Sequence, residues 1–298
     1  MLGSNEFLDF VYVGAPRCGS TWLAAVLESH PEVWIPHNKE IHFFNDRLVY
    51  PFEYKYPRGF EYYKSYFNKA PKNILLGELS PFYYYDPNAA VRISRAFPNA
   101  KIIAFIRQPA EMLYSLYMLL RSREPREQTF ERELEKHPQL IDLGFYHRNL
   151  LPYFDMFPAE NIFVAEYGRF FQDESSSLQQ LLAFLGVDPT FNPSQLGKRI
   201  NQARTDKPSG LGILRGKMIR LLNTKPLIPI KDLLHKMRMN RMDYSGIVKT
   251  TQEGQVHKSI SDSTRRDLMA QFEPDIARLE TMLGIKLDGW RASDSGQS

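Results

Sequence analysis

The sequence predicts an α/β protein of three layers, in which a central parallel β-sheet lies between two layers of helices. Short apolar runs rich in β-branched residues predict buried strands, and longer amphipathic runs between them predict helices. Strands that alternate with helices form βαβ units, and such units build parallel sheets covered on both faces. With 298 residues, 43% of them hydrophobic and 24% charged, the chain is long enough to bury a sizeable core.

The sequence predicts four strands and five helices. The predicted strands are residues 10–14, 74–78, 101–107 and 161–166. The predicted helices are residues 21–27, 88–97, 109–123, 143–157 and 175–185. Because no change of composition marks a boundary, we expect one domain over residues 1–298, with its core at 8–190 and a basic helical arm at 197–290.

Composition and charge exclude several classes of protein. No run of about 18 apolar residues occurs, so the sequence predicts no membrane span, and we expect no signal peptide. Cys18 is the only cysteine, which excludes a disulfide framework and a cysteine zinc site and favours the cytoplasm. Residues 197–250 hold 13 lysines and arginines against three aspartates. This excess predicts an anionic ligand or partner, or else a solvated pair of amphipathic helices.

A glycine-rich turn follows the first predicted strand and leads directly into a helix. It reads Gly-Ala-Pro-Arg-Cys-Gly-Ser-Thr from Gly14 to Thr21. Free backbone N–H groups and the helix dipole converge at such a junction and make an anion site. A kinase loop would have lysine after the second glycine, but Ser20 stands there and the cation is Arg17. A magnesium site would need an acidic residue at the end of the third predicted strand, but Arg107 stands there. The turn predicts a P-loop-like phosphate site without a metal, the alternative being a tight turn with an incidental arginine.

Two motifs resemble those of the sulfotransferases that use 3′-phosphoadenosine 5′-phosphosulfate (PAPS). The 5′-phosphosulfate loop of that family reads P-[KR]-[STC]-G-[ST]-[ST]-x-L, which residues 16–23 match. Its 3′-phosphate motif joins an arginine at a strand end to a helical serine eight residues later, as Arg107 and Ser115 do here. Residues 38–44, Asn-Lys-Glu-Ile-His-Phe-Phe, narrow the resemblance to heparan-sulfate-type and related carbohydrate sulfotransferases. The resemblance extends over residues 10–187.

The resemblance implies transfer of a sulfuryl group from PAPS to a hydroxyl or amine, with release of adenosine 3′,5′-bisphosphate. It favours a saccharide acceptor over another small molecule. The residues implied to bind the nucleotide are Arg17, Cys18, Gly19, Ser20, Thr21, Trp22, Arg107, Ser115, Arg199, Asn201 and Lys207. Asn201 and Lys207 belong to a stretch that resembles the family's late loop over the nucleotide, and Arg199 lies at the start of the basic arm, which could meet the nucleotide phosphates.

Four residues are candidates for catalysis. The acceptor needs a base within hydrogen-bond reach, and the resemblance assigns this role to Glu40. His42 is the second candidate base, and it would share a face with Glu40 if the segment were extended. Lys39 would orient the sulfate, and Arg17 would hold the 5′-phosphate and the bridging oxygen. The structural alternatives are a surface pair of Lys39 and Glu40, and a core histidine at position 42.

Other interpretations stay open on the sequence alone. A P-loop nucleotide kinase and a non-catalytic module that binds PAPS or its product are the alternative functions. Residues 50–67 hold nine aromatic side chains, which either line an acceptor cleft or pack over the sheet. The basic arm lacks interleaved aromatic residues, so we expect no nucleic acid partner. The spacings between His30, His37 and His42 fit no familiar metal site, and no metal is expected.

Overall fold

Five parallel strands form the sheet in the described part of the chain. The computed structural model describes residues 7–37, 40–46, 54–123, 129–194, 196–197 and 260–291. The strands are β1 (Phe10–Gly14), β2 (Val33–Trp34), β3 (Leu75–Leu79), β4 (Lys101–Ile106) and β5 (Ile162–Glu166). They lie in the order β2-β3-β1-β4-β5, and every neighbouring pair is parallel. The central strand β1 is therefore buried along its whole length, as expected for a sheet covered on both faces.

Helices connect these strands. In the described residues they are α1 (Ser20–Ser29), α2 (Phe60–Lys64), α3 (Pro87–Ala96), α4 (Pro109–Arg123), α5 (Phe130–Lys136), α6 (Tyr146–Met156), α7 (Tyr167–Gln172), α8 (Glu174–Leu185) and α9 (Asp262–Leu283). The chain leaves β1 through α1 toward β2, and it returns from β3 through α3 past β1 to β4. Right-handed crossovers in opposite directions place α1 and α3 on opposite faces. The predicted α/β fold is confirmed.

Several element boundaries differ from those predicted. The helix predicted at 143–157 begins at Tyr146, because Pro138–Gly144 forms a 3₁₀-helix and Phe145 has the non-helical angles φ −85° and ψ 80°. The sequence analysis missed β2, α2, α5 and α7, which have two to seven residues each. Elements of that length are too short to show a reliable hydrophobic period.

The C-terminal helix α9 packs on the body of the protein. The ring of Phe272 is fully buried, and its centroid lies 5.0 Å from that of Phe145. The carboxylate of Asp275 accepts hydrogen bonds from the backbone N–H groups of His147 and Arg148, at 2.9 and 3.0 Å. Because these groups belong to the first turn of α6, Asp275 caps that helix from a distant part of the chain.

The predicted basic arm at 197–290 lies mostly outside the described residues, which include only 197 and 260–290 of it. Helix α9 carries three arginines and five acidic residues, so the described end of the arm is not basic. The assignment of the whole chain to one domain stays a prediction. Among the described helices, none combines the length and the apolar character that a membrane span needs.

Candidate active site

The candidate site lies at the edge of the sheet where β1, β3 and β4 end. Parallel strands bring their carboxyl ends to one edge, and ligands of open α/β sheets bind there, beside strands whose connections run in opposite directions. The glycine-rich turn follows β1, Ser80 follows β3 and Arg107 follows β4. The backbone N–H of Ser80 donates to the carbonyl of Tyr12 at 3.0 Å, which joins the first two of these strand ends.

The turn after β1 is held by short backbone contacts. The N–H of Ala15 donates to the carbonyl of Phe105 in β4 at 2.7 Å, and the hydroxyl of Tyr12 donates to the carbonyl of Ala15 at 3.0 Å. A Cβ atom at Gly14 would lie 2.5 Å from the ring of Tyr84, so only glycine fits there. Gly19 precedes α1 with φ +93°, a left-handed conformation that favours glycine. The predicted strand, turn and helix N-terminus are therefore present.

Arg17 and Ser115 connect the two motifs of the sequence. The Nε–H of Arg17 donates to Oγ of Ser115 at 3.1 Å, although 98 positions separate the two residues. Arg107 lies with its guanidinium 5.1 Å from the ring centroid of Tyr167. Two guanidinium groups, a hydroxyl and the N-terminus of α1 form a donor set that suits phosphate oxygens.

Cys18 and Trp22 support the turn from inside. The Cys18 side chain is fully buried, and burial raises the pKa of its thiol to about 12. The thiol is therefore neutral, and it donates to the carbonyl of Pro16 at 3.4 Å, which excludes a thiolate nucleophile here. The indole of Trp22 is buried against the rings of Phe170 and Phe171, with centroids 5.6 and 5.1 Å away. Contact of these two residues with a nucleotide stays a prediction. Because both side chains are buried, only their backbone groups would make such a contact.

Glu40 and His42 approach each other by a different route from the one predicted. The segment is not extended, because both residues have left-handed backbone angles, with φ +69° and +53°. The condition for a shared face is therefore not met, yet Oε2 of Glu40 lies 3.6 Å from Nε2 of His42. The N–H of Glu40 donates to the carbonyl of Leu79 at 2.9 Å, which fixes it beside the end of β3. Burial raises the pKa of Tyr12, and the nearby charge of Glu40 raises it further. Leu79 pairs with Tyr12 of β1 in the sheet, so Glu40 lies close to β1 as well.

Asn45 sets the tautomer of His42. Nδ2 of Asn45 donates to the carbonyl of Phe82 at 2.9 Å, so its Oδ1 faces Nδ1 of His42 at 3.3 Å. Since an amide oxygen only accepts, Nδ1 carries a hydrogen in both states of the ring. A second hydrogen on Nε2 would therefore face the carboxylate of Glu40. Nε2 and the Glu40 carboxylate lie just beyond hydrogen-bond distance, with the carboxylate 36% exposed and the imidazole 2% exposed.

A buried carboxylate, Glu78, supports this segment. It accepts hydrogen bonds from the hydroxyls of Tyr63, Ser80 and Tyr83, at 2.5, 2.7 and 2.7 Å. The Ser80 hydroxyl in turn accepts from the backbone N–H of His42 at 3.0 Å. The Tyr83 hydroxyl accepts from the N–H of Phe43 at 2.8 Å. Sequence reasoning missed the role of Glu78, and the available signal was an acidic residue inside an apolar predicted strand.

The other candidate site residues fall into two groups: some pack in the interior of the protein, and the others lie outside the described residues. In the described part of residues 50–67, Phe60, Tyr63 and Phe67 are buried, so packing accounts for them, while Tyr54 is exposed. His30 packs against Phe191 with the rings tilted by 57° and their centroids 4.5 Å apart. No group of three His, Cys, Asp or Glu side chains in the described ranges is arranged to hold a metal ion. Lys39, Arg199, Asn201 and Lys207 lie outside the described residues.

Comparison with known proteins gives the family. Residues 8–221 match the family model of the sulfotransferase domain, so the chain belongs to that family, whose reaction is sulfuryl transfer. It is 33% identical over 140 residues to "Membrane-associated sulfotransferase kil1" of Dictyostelium discoideum, covering 45% of this chain and 29% of that protein. It is 27% identical over 210 residues to the human "Bifunctional heparan sulfate N-deacetylase/N-sulfotransferase 3", covering 62% and 23%. The chain thus spans less than a third of the length of these relatives.

Solved structures share the fold. A sulfotransferase from Alicyclobacillus acidocaldarius superposes with a TM-score of 0.68 at 24% identity, covering 96% of this chain and 99% of that one. Mouse sulfotransferase SULT7A1 complexed with PAP superposes with a TM-score of 0.55 at 18% identity, covering 98% and 93%. Both likenesses confirm the P-loop-like α/β fold.

The buried position of Glu78 predicts a pH dependence of stability. Burial raises the pKa of Glu78 above its ordinary value, so the folded protein keeps this proton at a pH where the unfolded chain, with a pKa of about 4.3, has lost it. The contribution of Glu78 to the free energy of unfolding therefore falls as the pH rises from about 4 toward the higher native pKa. The difference between wild type and Glu78→Gln, measured by denaturant unfolding from pH 4 to 8, should decrease in that direction.

Glu61→Gln is the matched control, because the Glu61 side chain is 88% exposed. It should leave the pH profile of the wild type unchanged. Parallel profiles for the wild type and Glu78→Gln would contradict the raised pKa.

Proposed function

We propose that the chain transfers a sulfuryl group from PAPS to an acceptor hydroxyl or amine, most readily on a carbohydrate. The observation that carries the proposal is the contact between Arg17 and Ser115. It unites the motif that the family uses for the 5′-phosphosulfate with the motif that it uses for the 3′-phosphate. Both phosphate groups of one nucleotide would then lie at the same edge of the sheet.

The donor set fits the two phosphates. The turn at 15–19 and the N-terminus of α1 would receive the 5′-phosphosulfate, with Arg17 neutralising charge on the leaving phosphate. Arg107 and Ser115 would receive the 3′-phosphate as guanidinium and hydroxyl donors. A nucleotide with a phosphate only at its 5′ side would leave that second set unused. The mouse structure named above, complexed with PAP, supports the assignment of the nucleotide.

Glu40 supplies the base in this proposal. The acceptor O–H or N–H loses its proton to the Glu40 carboxylate while its oxygen or nitrogen forms a bond to sulfur. The bond between sulfur and the bridging oxygen breaks, and its electron pair stays on the 5′-phosphate. His42 accepts or shares the proton through Nε2, because Nδ1 is already committed to Asn45. Lys39, as the cation next in sequence, would orient the sulfate.

Two observations support a carbohydrate acceptor. One is the similarity to heparan sulfate sulfotransferases, and the other is the segment at residues 54–62, which lies beside Glu40 and His42. Nζ of Lys55 donates to the carbonyl of Ile41 at 2.6 Å, so this segment adjoins Glu40 and His42. Arg58 lies 4.7 Å from the ring centroid of Tyr62, and Tyr54 is exposed. Aromatic faces and cations of this kind suit sugar rings and their anionic substituents.

A first prediction concerns selection of the nucleotide. Arg107→Ala should bind adenosine 3′,5′-bisphosphate about 10–100-fold more weakly than the wild type, because hydrogen bonds to charged groups contribute about 1.5–3 kcal/mol. Binding of 5′-AMP should change by less than about twofold. Isothermal titration calorimetry without metal measures both.

Arg95→Ala, which removes an exposed arginine of α3, is the control and should bind both nucleotides as the wild type does. Equal affinity of the wild type for the two nucleotides would contradict the proposal. Turnover of ATP with magnesium would favour the kinase instead.

A second prediction concerns the base. Glu40→Gln should lower kcat for transfer from PAPS by about 10²–10⁴-fold, the usual contribution of a general base, while the Kd for adenosine 3′,5′-bisphosphate stays unchanged. Sulfated product is measured by mass spectrometry over a panel of desulfated oligosaccharides, phenols and amines.

Glu61→Gln, on the exposed face of α2, should keep full activity. Full activity of Glu40→Gln would indicate that His42, not Glu40, is the general base. Bisphosphate binding without product from any acceptor would point to the non-catalytic module.

A further inference from the structure

A carboxylate adjoins the cation proposed for the 3′-phosphate. Glu111 lies in the first turn of α4, four residues after Arg107, and its Oε2 is 3.6 Å from Nη2 of Arg107. Its backbone N–H donates to Oε1 of Gln108 at 2.7 Å, which fixes its position. By itself this carboxylate would neutralise Arg107 and repel a phosphate dianion. The site therefore needs a second cation to balance it.

Arg265 of α9 supplies that cation. Its Nη2 lies 2.5 Å from Oε1 of Glu111, so the carboxylate binds one arginine through each oxygen. The Arg265 side chain is 16% exposed, against 28% for Arg107 and for Glu111. The shorter contact and the deeper burial make Arg265 the stronger partner of Glu111. The guanidinium groups of Arg107 and Arg265 and the carboxylate of Glu111 together carry one net positive charge.

The position of Arg265 does not depend on this ion pair alone. Helix α9 begins at an N-cap, Ser261, whose side chain accepts from the N–H of Thr264. The Thr264 hydroxyl donates to Oε1 of Glu131 at 2.8 Å. Further along, Phe272 and Asp275 join α9 to α6. The helix thus presents Arg265 to Glu111 in a fixed place.

We infer that Arg265 is a positioning residue for the 3′-phosphate: it binds Glu111 and thereby leaves the guanidinium of Arg107 available for the dianion. The inference rests on the proposed function, since it assigns the 3′-phosphate to Arg107. Arg265 acts through Glu111, so its effect depends on that carboxylate. A residue with a merely structural role would have no such dependence.

The test compares wild type, Arg265→Ala, Glu111→Gln and the double variant, each titrated with adenosine 3′,5′-bisphosphate and with 5′-AMP. Arg265→Ala should bind the bisphosphate about tenfold more weakly, a typical coupling for contacting charges, with 5′-AMP unchanged within about twofold. The double variant should regain the affinity of the wild type within about threefold, because the carboxylate that competed for Arg107 is gone. Arg266→Ala, which removes the exposed neighbour on α9, is the matched control and should bind as the wild type does.

The outcomes separate the two proposals. A wild type that prefers the bisphosphate, together with an Arg265→Ala variant that keeps this preference, overturns the inference and leaves the proposed function intact. Equal losses for both nucleotides in Arg265→Ala, without recovery in the double variant, also overturn it by showing a structural role. A wild type without any preference for the bisphosphate refutes the proposed function, and the inference with it.

Discussion

The parallel alignment of β1, β3 and β4 is the constraint on which the rest of the site depends. It brings three strand ends to one edge, and each end delivers a different part of the chemistry. The turn proposed to bind phosphate follows β1, the proposed catalytic segment (residues 40–43) is hydrogen-bonded to the end of β3 through Leu79, and Arg107 follows β4. Contacts between the ends, such as Ser80 to Tyr12 and Ala15 to Phe105, fix their relative positions. Phosphate binding and proton transfer can therefore act on one ligand.

Buried polar groups maintain this edge at a cost in stability. Glu78 has its carboxylate 1% exposed, and three hydroxyl donors offset its desolvation. Two of those hydroxyls also accept from backbone N–H groups of the catalytic segment. They help to hold His42 in a left-handed conformation, and the carbonyl of Leu79 binds the N–H of Glu40, which has the same kind of conformation. Each such conformation costs about 1–3 kcal/mol. These conformations accompany the approach of the Glu40 and His42 side chains to 3.6 Å.

The sequence predicted the parts of the protein that follow from local pattern. The buried strands and the turn at Gly14–Gly19 depend on residues close together in the chain, so the sequence could predict them. The left-handed backbone at Glu40 and His42 could not be predicted, because it accompanies contacts with Leu79 and Ser80, which are distant in the sequence. The contact of Arg265 with Glu111 joins residues 154 positions apart on two helices, and no periodicity indicates it. The proposed roles of Glu40 and Arg107 come from the family resemblance. Their contacts with His42 and Glu111 are seen only in the structure.

In the proposed function, both phosphates of one adenosine nucleotide bind at the edge formed by β1, β3 and β4. A crystal structure of the wild-type protein with adenosine 3′,5′-bisphosphate, grown without metal, would reveal this binding mode. We expect the 5′-phosphate on the turn at 15–19 and the N-terminus of α1, and the 3′-phosphate within hydrogen-bond distance of Arg107 and Ser115. A nucleotide bound with its 3′-phosphate away from Arg107 and Ser115, or bound at another edge of the sheet, would contradict it.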